Sequence, residues 1–263
     1  MRSTISCLAV LLSLKLLSSA DPIIAPDLGF AFEDAGVTGT FVLYDPQTDQ
    51  SLVYNPARAG ERYLPASTFK VANALIALDT EKIDGLDEVI PYGGGKEYFK
   101  RWEQDMNLRD AMKHSNVAVF HQVARRIGLE TMRAKLEAFG YGNENPGETI
   151  DERFWLTGPL KISALGQVAF LRRLTEGKLP VKETPVSQLY ETLLHAKTDT
   201  YTIHAKTGWA GPDDPQIGWW VGWVTRGEHV YPFALNIDIK KNEDAPKRLS
   251  VGKACLQALK LID

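Results

Sequence analysis

Ser67-Thr68-Phe69-Lys70 sets a hydroxyl and an amine three residues apart, just after Pro65-Ala66 and at the start of the apolar run Val71-Ala72-Asn73-Ala74-Leu75-Ile76-Ala77-Leu78. On a helix, side chains three apart share a face, about 5–6 Å between Cβ atoms. A serine that must become an alkoxide needs a base in reach and an anion-stabilising surround. The amino end of a helix, with its unpaired N–H groups, helps with the second. The spacing alone decides nothing. Ser250-Val251-Gly252-Lys253 repeats it in a charged C-terminal segment beside Lys247 and Arg248, with no apolar wall around the amine.

Three more segments bring groups that such a pair could use. Ser115-Asn116-Val117 falls between two expected helices, where a hydroxyl could reach a neighbouring amine. Lys206-Thr207-Gly208 ends an expected strand, and its glycine permits close backbone approach to a ligand. Tyr141-Gly142-Asn143 is a turn after a helix. Taken singly, each also reads as a helix cap, a strand end or a C-cap.

The elements that must position these groups follow from periodicity. Thr40 to Tyr44, a turn over Asp45-Pro-Gln-Thr-Asp49 and Ser51 to Tyr54 predict an antiparallel hairpin. A helical region follows: Phe69 to Thr80, a helix opened by Asn107 with Asp110 at N3, then Val117 to Ile127 and Glu130 to Phe139, ending near Gly128 and Gly140. Leu160 to Leu174 and Val186 to Leu194 predict two more helices. Strands return at Thr202 to Thr207, Gly218 to Val224 and Val230 to Ile239. Pro246 opens a last helix whose Leu249, Leu256, Leu259 and Ile262 share a face. This is an α/β chain of the α+β type: an antiparallel sheet built from both chain ends and flanked by helices, with an all-helical lobe inserted. The expected lobes are about 61–158 for the helical one, and 21–60 plus 159–263 for the sheet. A cleft between them is the natural ligand site.

The 263 residues are 44% hydrophobic with net charge −3, ordinary for one globular unit with an ample core. Met1-Arg2, the apolar run Cys7 to Leu17 and Leu17-Ser-Ser-Ala20 predict a signal peptide over 1–20, too short to span a bilayer. Its removal takes Arg2 and Lys15, moving the net charge from −3 to −5. Cys7 goes with it, leaving Cys255 without a disulfide partner. The mature chain (21–263) is then exported, and no membrane association is expected after cleavage. Scattered basic residues on an acidic chain offer no footprint for nucleic acid. His114, His121, His195, His204 and His229 form no ligand cluster, so no metal is expected.

In order and with their flanks, the segments resemble the class D β-lactamases, the oxacillinases among the penicillin-recognising serine enzymes. The resemblance rests on Ser67-Thr-Phe-Lys70, Ser115-Asn-Val117, Tyr141-Gly-Asn143, Trp155-Leu156 leading into Leu160-Lys-Ile-Ser163, and Lys206-Thr-Gly208. Trp102 to Ala111 and Gly218-Trp-Trp-Val-Gly-Trp223 add to it, and it runs from about Gly36 to Leu259.

That resemblance implies a periplasmic enzyme of antibiotic resistance that hydrolyses β-lactams, penicillins first, through an acyl-enzyme on Ser67. The backbone N–H groups of Ser67 and Trp209 would hold the oxyanion. Ser115 would pass a proton to the leaving nitrogen. Lys206, Thr207 and Gly208 would bind the substrate carboxylate, with Arg248, or Lys247 beside it, as the further cation. Val117, Leu156 and Tyr141 would line the pocket. Among Phe69, Val71, Val117, Leu156 and Trp155 the Lys70 amine should lose its charge readily. The family pattern then makes it a carbamate (N6-carboxylysine) formed from CO2 or bicarbonate and held by the Trp155 indole, with no other cofactor. The alternatives are a transpeptidase or a β-lactam sensor that acylates without turnover. The chain is expected to be a monomer or a homodimer. Residues 210–216 map onto nothing familiar.

Overall fold

The computed structural model describes residues 23–150, 154–211 and 215–263. The expected signal peptide therefore lies outside the described residues. The chain opens with β1 (Ile23–Ile24) and α1 (Gly29–Ala35), followed by the hairpin of β2 (Gly39–Asp45) and β3 (Gln50–Tyr54). Every residue of β2 but Asp45 is buried. A strand covered on both faces reads as a continuous apolar run, which is why Thr40-Phe-Val-Leu-Tyr44 does not alternate.

After α2 (Pro56–Gly60), a 3-10 turn over Ala66–Phe69 runs into α3 (Lys70–Asp79). All ten residues of α3 are buried, so this helix is the axis of the molecule and carries Lys70, Asn73 and Asp79 inside with it. A small ladder, β4 (Val89–Ile90) with β5 (Met106–Asn107), precedes α4 (Leu108–Lys113), α5 (Val117–Ile127) and α6 (Leu129–Phe139). Asn107 caps α4 by accepting from the Asp110 N–H at 2.9 Å, as its spacing predicts. The remaining elements are α7 (Ala164–Thr175), α8 (Glu183–Leu193), β6 (Leu194–Lys197), β7 (Thr202–Ala210), β8 (Gln216–Arg226), β9 (His229–Ile239) and α9 (Lys247–Ala258).

Among the described residues, seven strands form one sheet in the order β1-β3-β2-β9-β8-β7-β6. The sheet is antiparallel as expected except at its margin, where β1 pairs parallel with β3. Trp219, Val221 and Trp223 of β8 face the core that holds α3, α5 and α7. Trp220 and Val224 face a second core with Phe32 and Leu256, under α1 and α9. Each fully buried large side chain of this kind contributes about 1.5–3 kcal/mol.

One expected helix is shorter than its pattern. Leu160 to Ser163 is extended, with Ile162 bridging Tyr63, and α7 starts only after Ser163, which caps it through the Gly166 N–H at 3.0 Å. A residue pinned in a bridge and a serine cap together override the apolar periodicity. The edge strand β6 pairs only with Thr202–His204. From Ala205 onward the outer edge of β7 carries no strand partner among the described residues, and the candidate site forms along it.

Candidate active site

Ser67 sits on the 3-10 turn, not within α3. In a 3-10 turn, side chains at i and i+3 eclipse. This brings Lys70 Nζ to 2.8 Å from Ser67 Oγ, closer than α-helical spacing alone guarantees. The turn is held from several directions. Ala66, a non-glycine at φ +50°, donates its N–H to Trp155 O at 3.0 Å. Thr68 Oγ1 donates to Pro65 O at 2.6 Å and accepts from Gln167 Nε2 of α7 at 2.8 Å. A left-handed alanine costs on the order of 1 kcal/mol and persists only where neighbours over-determine it. Those bonds do so.

Lys70 has no solvent exposure. Burial holds its ammonium well below the usual lysine range, and the Lys206 charge pushes the same way. The Phe120 ring centroid lies 5.4 Å from Nζ. On α3 the acid nearest in sequence is Asp79, nine residues on, so about 13 Å away along the axis, and paired with Lys135. Trp155, also fully buried, packs on Phe69 at 5.4 Å and Phe154 at 4.7 Å, and its Nε1 has no hydrogen-bond partner among the described residues. An unpaired buried donor costs about 1–3 kcal/mol. A dry amine and a donor with nothing to bind suit an acceptor group added on Lys70, so the residues present fit a carbamate.

The opposite wall comes from β7. Lys206 Nζ donates to Ser115 Oγ at 3.0 Å and to Thr207 O at 3.1 Å. Burial, with help from Arg248, brings the Lys206 pKa down to about 7. Ser115 is itself held at φ +52°. The next residue, Asn116, caps α5 by accepting from the Val119 N–H at 3.1 Å and donates to Trp102 O at 3.2 Å.

Gly208 borders the cleft and has a second reason to be glycine. A Cβ there would stand 3.1 Å from Pro65 O and Thr68 Cγ2 and 3.3 Å from Ala66 Cβ. This close approach is to the serine's own turn. The open β7 edge beyond it can offer backbone N–H groups beside Ser67. Trp209 is part-exposed and donates from Nε1 to Gln216 Oε1 at 2.7 Å. Ala210–Gly211 and 215–216 border the strand end, and the rest of the 210–216 segment lies outside the described residues.

Ser67, Ser115, Thr207, Gly208, Trp209 and Arg248 line one cleft of ≈ 520 Å³. Arg248 donates from Nη1 to Ala245 O at 2.6 Å, and its Nε is unpaired. Lys247 turns to Asp244 at 2.8 Å. Lys70 lies beneath Ser67, and Trp155 lies deeper. Val117 is buried at the start of α5, and Leu156 is half-buried.

Tyr141 does not line the cleft. It is fully buried one layer behind, edge-on to Phe69 at 5.6 Å, with its hydroxyl near Thr68 and Gln167 but without a well-formed hydrogen bond. The two residues after it clamp the 159–161 segment. Asn143 Nδ2 donates to Pro159 O at 2.7 Å, and its Oδ1 accepts from the Lys161 N–H at 2.9 Å. At Gly142, φ +63°, a Cβ would fall 2.1 Å from Lys161 O, so only glycine serves.

Sequence reasoning missed Phe120, Gln167, Lys113 and the Phe99–Arg101 rim. Phe120 could have been found, since it follows Val117 by three on α5 and so shares its face.

A family model for the penicillin binding protein transpeptidase domain matches residues 39–257. Beta-lactamase OXA-5 of Pseudomonas aeruginosa is 41% identical over 224 residues, 84% of either chain. Beta-lactamase OXA-48 of Klebsiella pneumoniae is 39% identical over 224 residues, 85% of this chain and 84% of that one. Among solved structures, the class D β-lactamase YbXI from Nostoc superposes with a TM-score of 0.88 at 37% identity, covering 90% of this chain and all of its own.

Proposed function

The chain belongs to the class D serine β-lactamases, and from that premise we propose that it opens the lactam amide of penicillins in two steps, through an ester on Ser67. The observation that carries the reading is the fully buried Lys70 amine, 2.8 Å from Ser67 Oγ in a cleft that no described carboxylate lines. A neutral amine there is free to add CO2, and the base formed at that position takes the hydroxyl proton as the oxygen attacks. Backbone N–H groups of Ser67 and Trp209 hold the developing oxyanion, each donor worth about 10²–10³ in rate. Lys206, Thr207 and Arg248 fix the substrate carboxylate, the guanidinium fork suiting it. Ser115, bonded to Lys206, delivers a proton to the ring nitrogen as the amide breaks.

A Lys70 carbamate, held by the Trp155 N–H, supplies an anionic base for both halves of the cycle. The unpaired Trp155 Nε1 and the depressed Lys70 support it. Without such a base the site acylates and stalls, as a transpeptidase or a sensor would. The reading places the enzyme outside the cytoplasm, after loss of residues 1–20, as an agent of β-lactam resistance. No described helix is long and apolar enough to cross a membrane.

Purified protein mixed with excess chromogenic cephalosporin, with and without bicarbonate, tests this directly. Sustained turnover that bicarbonate enhances is expected. A single stoichiometric burst in both conditions overturns the hydrolase reading.

A further inference from the structure

Resting on that hydrolase reading, the geometry points to Lys113 as a specificity-determining residue for a second negative charge on the substrate. Cations stand on both walls of the cleft: Arg248 on the α9 side, Arg101 and Lys113 on the helical side. No carboxylate among the described residues lines it. Two of the three cations are engaged. Arg101 lies over the Phe99 ring at 4.5 Å, and Arg248 donates to Ala245 O beside the carboxylate end. Lys113, exposed on the last turn of α4, makes no ion pair or hydrogen bond among the described residues.

Lys113 and Thr207 also border a second depression of ≈ 540 Å³, which continues past Lys206 along the open edge of β7 between α8 and α9. Its acids do not neutralise Lys113. Glu191 is bound to Arg109 at 2.7 Å, and Asp110, one turn before Lys113, forms no ion pair with it.

A β-lactam with its carbonyl at Ser67 and its carboxylate at Lys206, Thr207 and Arg248 has a fixed orientation. In a cephalosporin the ring carbon next to the carboxylate-bearing carbon carries the C3 substituent. Lys206 and Thr207, which take the carboxylate, border the second depression together with Lys113, so the substituent one ring carbon away is brought toward Lys113. A negative charge on it meets an unpaired ammonium there, so dianionic cephalosporins are preferred over monoanions of the same skeleton. Both partners are exposed, so the preference is about two- to fivefold, the scale of a surface ion pair.

Cefamandole and cefonicid test this, because they differ solely in the tetrazole of the C3 group: methyl in the first, sulfomethyl in the second. Each is run as a competitor of benzylpenicillin hydrolysis by wild type, Lys113→Gln and Lys113→Glu at low ionic strength. The ratio of the two competition constants is internal to each protein, so a partly misfolded variant still reports it. Wild type should favour cefonicid two- to fivefold, Lys113→Gln should level the ratio, and Lys113→Glu should invert it. About 0.5 M salt should flatten the differences. One ratio common to all three proteins overturns the proposal. Absence of benzylpenicillin hydrolysis by wild type is a separate result, which removes the hydrolase reading itself.

Discussion

The chain contains two Ser-x-x-Lys segments, and their surroundings divide them. Ser67 and Lys70 meet at 2.8 Å on a 3-10 turn at the head of a fully buried helix. Ser250 and Lys253 lie on exposed positions of α9, where Ser250 Oγ donates to Lys247 O at 3.2 Å. That hydroxyl closes a local turn of backbone, a common use of serine in a helix. Equal spacing yields a buried hydroxyl–amine contact in one case and a surface pair in the other. What differs is water: one amine has none, and the other is bathed in it. The proposed reactivity belongs to the dielectric around the pair rather than to the motif.

The sharpest way to break that contrast is to delete each pair. Ser67→Ala should lose on the order of 10⁶ in kcat/KM for a penicillin, the scale seen when a nucleophile is removed. Lys70→Ala should lose roughly 10²–10⁴, the worth of a positioned base. Ser250→Ala and Lys253→Ala should leave steady-state hydrolysis within about twofold of wild type, as surface changes do. Comparable losses at both pairs would show that the environment does not separate them.

A second test acts on the dry side alone. Trp155→Ala admits water and removes the unpaired N–H behind Lys70. Acyl-enzyme should then accumulate, seen by intact-protein mass, with deacylation slowed about 10²-fold or more. Added bicarbonate should recover part of the rate. Normal deacylation without bicarbonate would dispose of the carbamate.

Lys206 offers an intermediate case, buried yet proposed to act as a cation. Its pKa of about 7 in the free enzyme means that it carries charge below pH 7 and sheds it above. Carboxylate binding needs the charge, so kcat/KM for a penicillin should fall as pH rises through about 7. Lys206→Arg, charged at all these pH values, should lack that limb. The sign for stability is opposite. The folded pKa is depressed, so between about 7 and the ordinary lysine value the unfolded chain binds more protons, and stability rises with pH across that window.

Much of this was legible in the residues. The hairpin, the helix after Ser67, the Asn107 cap and the closing meander follow from periodicity and capping, which are local. The motif order gave the family. Three things were not legible, because none is a property of spacing. The 3-10 character of the Ser67 turn depends on Pro65, the strained Ala66 and bonds from Trp155 and Gln167, the latter 99 positions from its partner Thr68. Tyr141 looked like a pocket wall, but packing on Phe69 and Phe170 draws it into the core. Gly208 does border the cleft, but spacing did not show that its missing side chain also makes room for Thr68.

The smallest expected effect tests how the reactive pair is held rather than what it does. Thr68 Oγ1 joins Pro65 O to Gln167 Nε2 inside the molecule. Thr68→Val keeps the shape, and Pro65 O keeps the backbone N–H of residue 68, but Gln167 Nε2 loses its buried acceptor, which should cost about 1–3 kcal/mol. For a domain of this size that is a drop of a few degrees in Tm per kcal/mol. Ser67 would gain freedom at a distance of one residue, so kcat should fall by a modest factor while KM holds. Thr68→Ser restores the hydroxyl and should recover both. The exposed pair on α9 has no such tether to cut, and there the corresponding change, Val251→Ala, should lower stability without touching turnover.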